Sequence, residues 1–239
     1  GYDALGGSIA GGEYNVAIGN YSLDAITTGD YNVALGYDAL TANSSVHKNV
    51  AVGTNAMKSK TSGDPGTAIG YAALEDNTSG GGNTAVGYLS LANNTTASHN
   101  TGIGNGALVY NTTGEKNTGL GYNALGSNTT GSRNLTLGWG TGDAITTGSD
   151  NVIIGSGSDP SANNASNQIV IGYGATGIGD NYAVIGNTDV TRVYAAQDGG
   201  AVIYANATIN ASDRRVKKEI HDLNYGLDYV KSLRPVSYY

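Results

Sequence analysis

Cysteine and phenylalanine are absent from the 239 residues, methionine and tryptophan occur once each, and proline occurs three times. Without cysteine no disulfide can hold the chain together, so stability has to come from packing and backbone hydrogen bonds. Charge is sparse as well: 13% of residues are charged and the net charge is −7. Half of the twelve Lys and Arg lie in residues 212–239, so the preceding 211 residues hold six basic and fifteen acidic side chains. Phosphate neutralisation needs clustered Lys and Arg, which argues against a nucleic acid partner. No run of 18 apolar residues occurs, so no membrane insertion is expected. What is abundant is glycine (38) and tyrosine (17), with many Val, Ile and Thr. Glycine does not fall at every third position, which excludes collagen, and the β-branched and aromatic content is too high for a disordered chain.

The glycines instead keep a period. Gly19, Gly36, Gly53, Gly70, Gly87, Gly104, Gly121, Gly138, Gly155 and Gly172 succeed one another at intervals of 17 and close variants of one pentapeptide, Asn32-Val33-Ala34-Leu35-Gly36. A fixed period of roughly 20–50 residues marks a stacked array, and this one sits just below that range. Within the pentapeptide Val33 and Leu35 alternate with Ala34, as a short β-strand requires. The glycine then forms a corner and a small-plus-large pair comes next, such as Ala39-Leu40 or Ala124-Leu125. A Thr-Thr-Gly corner such as Thr112-Thr113-Gly114 leads to the next coil.

This grammar predicts an all-β chain, a repetitive β-roll or β-solenoid of 17-residue coils over residues 1–186, with two bends and two short strands per coil. Coils about 4.8 Å apart would make a rod roughly 50 Å long. Asn15, Asn32, Asn49, Asn83, Asn100, Asn117, Asn134 and Asn151 would share one column and form a ladder of side-chain amides. Gly66 and Gln168 interrupt it, beside Pro65. Only about half of each coil is apolar, so a lone chain looks short of core. The expectation is an intertwined homotrimer in which Ala34-type and Leu40-type positions meet across chains.

Other columns offer candidate chemistry. Tyr37, Tyr71, Tyr88, Tyr122, Trp139 and Tyr173 come directly after the corner glycines and would share a column; it serves either packing or stacking on a host surface glycan. His47, His99 and His221 fall at different repeat positions, and the acidic residues form no repeated pair. No metal site, no cofactor and no glycan-cleaving centre is therefore expected. Residues 187–211 lose the period and carry two β-rich runs, read as a neck. Residues 212–239 are charged, with Leu227, Val230 and Leu233 spaced for one helical face, the start of a short mixed α/β segment. The sequence opens inside a repeat, at Gly1-Tyr2-Asp3-Ala4-Leu5, and reads as an excerpt of a longer protein.

The Asn-Val-Ala-Ile-Gly coils resemble the head repeats of trimeric autotransporter adhesins and the β-roll shafts of bacteriophage tail fibres. Ser212-Asp213-Arg214-Arg215-Val216-Lys217-Lys218-Glu219-Ile220, with Leu233-Arg234-Pro235-Val236, resembles the opening of an endosialidase-type intramolecular chaperone domain. That resemblance implies self-cleavage at Ala211-Ser212, with Ser212 as nucleophile and Lys217 as base, and no other enzymatic activity. A lysine in that role must lose its proton, which burial or neighbouring cations would favour. Together the resemblances imply a homotrimeric, structural and adhesive fibre on a virion tail or an extracellular surface appendage. The other reading is the head of a bacterial trimeric surface adhesin.

Overall fold

The computed structural model describes residues 1–7, 10–63 and 65–193. Among them lie eleven three-residue strands, from β1 (Val16–Ile18) and β2 (Val33–Leu35) to β10 (Ile169–Ile171) and β11 (Ala183–Ile185), all paired in parallel and in sequence order. Val16 pairs with Val33 and Val33 with Val50, so each coil advances the chain by one strand and 17 residues. The last step differs. Ile169 pairs with Ala183, which is 14 residues on. Asp159 still meets Thr176 at the longer interval, while Ser166 donates its N–H to the Asp180 carboxylate at 2.8 Å. The three missing residues are therefore lost between those two points.

One strand per coil is formed, not two. The segment after the corner glycine is a run of turns, in which the large residue adopts a left-handed backbone: Leu40 has φ 55°, Leu74 53°, Leu108 55° and Leu125 54°. Such angles are rare for bulky side chains and need surroundings that impose them. Here the imposition comes from the neighbouring coil, because Leu40 N–H donates to the Ala56 carbonyl at 3.0 Å and Leu91 N–H to the Ala107 carbonyl at 3.0 Å. The corner glycines are forced by the same closeness. Gly121 has φ 138°, and a Cβ there would run into the Gly138 carbonyl oxygen.

The core lies inside a single chain, which corrects the expectation that Ala34-type and Leu40-type positions meet between chains. Ala34, Leu40, Ala51, Ala68, Leu74 and Leu108 are all fully or almost fully buried within one polypeptide. Two things supply the filling that the apolar count seemed to lack. The first is size exchange across the coil. Where the middle strand residue is Ala or Gly, as at Ala85 or Gly119, the turn carries Leu91 or Leu125; where it grows to Ile153 or Val170, the turn carries Asp159 or Thr176. Constant volume across the layer keeps the interior close-packed. The second is asparagine, which is buried and fills the polar half of the coil.

Replacing Leu108 by alanine should lower unfolding free energy by about 2–5 kcal/mol, read by denaturant titration. Its Cδ1 lies 3.5 Å from where a Cβ of Gly119 would sit, and a glycine there has no side chain to refill the space. A loss under about 1 kcal/mol would show that the turn residues are not the core.

Candidate functional site

The asparagine column joins side chain to main chain as well as amide to amide. The Asn100 Oδ1 accepts the Asn117 backbone N–H at 2.9 Å, the Asn117 Oδ1 accepts that of Asn134 at 3.0 Å, and the Asn134 Oδ1 that of Asn151 at 3.1 Å. Except at Asn49, which turns to the His47 carbonyl at 3.1 Å, each side-chain NH2 in turn donates to a carbonyl 14 residues on: Asn83 to Ala97 at 2.8 Å, Asn117 to Gly131 at 2.7 Å, Asn151 to Ala165 at 2.7 Å. Asn15 and Asn32 obey the same rule, with Gly29 and Val46 as acceptors. Direct amide–amide bonds occur at some rungs, Asn32 and Asn49 each to the asparagine before it at 3.1 Å. At Gly66 the backbone still takes part, through its N–H to the Asn49 Oδ1 at 2.9 Å, while the side-chain link to Asn83 is missing. Gln168 closes the column, its backbone N–H donating to the Asn151 Oδ1 at 3.0 Å.

A second buried asparagine column is not evident from the sequence. Asn43, Asn77, Asn94, Asn111 and Asn128 are buried in register, and the Asn111 and Asn128 amines donate to the preceding column members at 2.9 and 2.8 Å. The same 17-residue spacing marks these residues in the chain, but the neighbouring Thr-Thr-Gly corners disguise them as exposed turn chemistry. Lys60 takes the place of one asparagine and is buried, with its ammonium bonded to the Gly80 carbonyl and to the Asn77 Oδ1 at 3.3 Å. Outside these columns the corner threonines add a rail of hydroxyls: Thr27, Thr112 and Thr129 each donate Oγ1–H to a carbonyl 17 residues on at 2.9–3.0 Å.

Two surfaces remain open. The first is the outer face of the parallel sheet, where Ile18, Leu35, Ile69, Ile103, Leu137 and Ile171 are 37–58% exposed in one line. The second is the aromatic column. Tyr71 stacks on Tyr88 at 5.3 Å and Tyr122 on Trp139 at 5.8 Å, with ring planes within 14° of parallel. Tyr37 meets Tyr21 edge-on at 5.8 Å, and Tyr173 is exposed. The six aromatic residues thus share a column but stack as two separate pairs. Among the described residues no group of three or more His, Cys, Asp or Glu is placed to hold a metal. His47 accepts the Asp30 backbone N–H at 2.9 Å and lines an open hollow of about 590 Å³ with Tyr31, Lys48 and Pro65. Ser212, Lys217 and the scissile Ala211-Ser212 bond lie outside the described residues, as does most of the neck.

No protein family, curated protein or solved structure matches the chain.

Substituting Asn117 by alanine removes its three side-chain bonds at once. The buried Asn134 loses the acceptor of its backbone N–H and one acceptor of its side-chain amide, and the Gly131 carbonyl keeps only the bond from Asn128. The expected loss is about 2–5 kcal/mol, with the Asn134 amide exchanging faster in hydrogen-exchange experiments. Titration gives a separate check. Burial, with Asp143 nearby, raises the Asp159 carboxyl above its ordinary value, against a bond from the Ala144 N–H. The folded state therefore binds that proton more tightly than the unfolded one, and stability at this site improves as pH falls through the raised pKa toward the ordinary value. Asp159→Asn, which keeps an oxygen for Ala144, should be more stable than the parent at neutral pH, and the difference should shrink in acid.

Proposed function

We propose that the chain is the shaft of a homotrimeric fibre of a phage tail or a related surface appendage, structural and adhesive in role, in which three closed spirals abut through their sheet faces. The observation that carries this is the outer sheet face. An all-parallel sheet is ordinarily covered on both sides, and this one has a covered side and an apolar side in water. Ten coil steps of about 4.8 Å extend that apolar stripe over roughly 48 Å, well beyond the scattered exposed residues that a monomer tolerates. A second copy presents the same stripe at the same spacing, so every coil would find a matching coil.

Identical coils also explain why maturation would need help. A repeat of 17 residues offers many slipped registers of nearly equal energy, and non-local β contacts form slowly. A terminal domain that brings three chains together first would fix the register. Its later release would run through Ser212 Oγ attack on the Ala211 carbonyl, with Lys217 taking the hydroxyl proton and returning it to the departing Ser212 nitrogen. Water would then hydrolyse the resulting ester to free the two fragments, and the loss of the domain would make unfolding hard to reverse. The adhesin-head reading shares the trimer and differs in the segment beyond the rod, a coiled-coil stalk and membrane anchor in place of Ser212-Asp213-Arg214.

Native mass spectrometry should report three chains, and Leu137→Glu should yield single chains with an unchanged circular dichroism spectrum, because Leu137 is 48% exposed in the lone spiral. A monomeric parent chain would overturn the proposal. In a chain extended through a complete C-terminal domain, a fragment beginning at Ser212 should be released, and Ser212→Ala should stop the release while three chains still assemble.

A further inference from the structure

From Thr54 onward the aromatic column is interrupted at a regular interval. Between Tyr37 and Tyr71 stands Thr54, between Tyr88 and Tyr122 stands Asn105, and between Trp139 and Tyr173 stands Ser156. These three residues are 51 apart, three coils, or about 14 Å along the rod. Each gap spans two coil steps, roughly 9.6 Å from one aromatic ring to the next. The stacked pairs give the gaps their walls. Tyr88 is covered on one side by Tyr71 and Tyr122 on one side by Trp139, which leaves the opposite faces turned toward Asn105.

A fourth gap, over Asn20 between Tyr2 and Tyr37, is filled by the chain itself. The ring of Tyr21 enters it edge-on, at 5.6 Å from Tyr2 and 5.8 Å from Tyr37. The spacing therefore accepts one six-membered ring. At the position of Tyr21 the open gaps carry Asn55, Gly106 and Gly157. Asn55 is drawn away to the Glu75 carboxylate at 3.0 Å. A Cβ on Gly157 would meet nothing within 4 Å, and one on Gly106 would meet only the Asn123 Oδ1 at 3.6 Å. The gaps are open because the residue that would plug them has no ring.

We infer that the gaps over Thr54, Asn105 and Ser156 are three equivalent binding sites for neutral pyranose rings, each held between two aromatic faces. A pyranose presents axial C–H groups on its faces and hydroxyls around its rim. The C–H faces suit the negative face of an aromatic ring, and the rim hydroxyls suit a small polar floor such as Asn105 or Ser156. The walls and floors are themselves uncharged, which favours neutral sugars, although the Lys58–Asp38 pair and Glu75 lie beside the gap over Thr54. Repetition at three-coil intervals fits one linear polysaccharide laid along the rod, which gains avidity from several weak sites. This rests on the adhesive role proposed for the shaft and names the ligand class of the aromatic column.

The only tryptophan, Trp139, forms one wall of the gap over Ser156 and reports on it. Titrating the 239-residue chain with cellopentaose, maltopentaose and chitopentaose should change Trp139 fluorescence for at least one of them at millimolar concentration or below. Gly157→Tyr should remove that change by plugging the gap. The left-handed backbone there (φ 62°) is one that Tyr21 (φ 58°) and Asn55 (φ 59°) already adopt in the same column, so the fold should hold, as circular dichroism would show. Gly106→Tyr, one gap away, should leave the Trp139 response in place and abolish saturation transfer from Tyr88 and Tyr122 to the sugar. A response that survives Gly157→Tyr, or no response to any of the three sugars, overturns the inference. Native mass spectrometry on the same samples separates the two proposals: a monomer that binds sugar removes the trimeric shaft alone, and a trimer that does not bind removes the sites alone.

Discussion

Everything in the rod depends on coils lying close enough for main chain to bond main chain at every turn of the spiral. That closeness is set by groups with almost no side chain or with a side chain that imitates the backbone. At the corners, Gly121 and its equivalents let one carbonyl approach the next. In the interior, asparagine supplies a side-chain amide that accepts from the next asparagine of its column and donates to a carbonyl three residues before that one. Most of the polar half of the cross-section is thus bonded within the chain, with the Asn77 Nδ2 and Asn128 Oδ1 as exceptions. Buried amides are costly when unpaired and specific when paired. Here pairing comes from the repeat itself, since each coil delivers the partner for the one before it.

The strand and its inside–outside alternation are legible from Asn32 to Gly36, because a two-residue alternation closed by glycine has few other physical meanings, and the period from that unit's return every 17 residues. The core is not. Counting Asn43 and Asn111 as exterior leaves a shortage of filling on paper, and that shortage is what points to neighbouring chains. The second strand expected over Ala39-Leu40 is lost for a different reason. A small-plus-large pair reads equally well as a strand or as two turn residues pointing inward, and the left-handed angle at Leu40 depends on the Ala56 carbonyl in the next coil. Local sequence does not carry that tertiary contact. The aromatic column is visible as a column, but its division into pairs and gaps needs the rings of Tyr21, Tyr71 and Tyr122 in place.

The two open surfaces differ in kind. The sheet face is continuous, aliphatic and repeated in every coil, which suits a partner with the same translation. From Thr54 to Ser156 the aromatic column is broken every third coil, which suits a sugar chain that offers one ring to each gap. Charge contributes little to either. The Arg133–Asp150 pair between adjacent coils is exposed, so salt screens it, although the guanidinium holds the Asp150 carboxyl below the ordinary carboxylate range.

Because each coil touches only its two neighbours, a whole unit can be gained or lost by recombination between repeats with the contacts on either side left intact. Evolution can therefore set the length of such a rod in increments. The three-coil rhythm of Thr54, Asn105 and Ser156 makes those increments unequal in effect. Gaining one unit between two gaps would throw the outer decoration out of phase, whereas gaining three at once would preserve it.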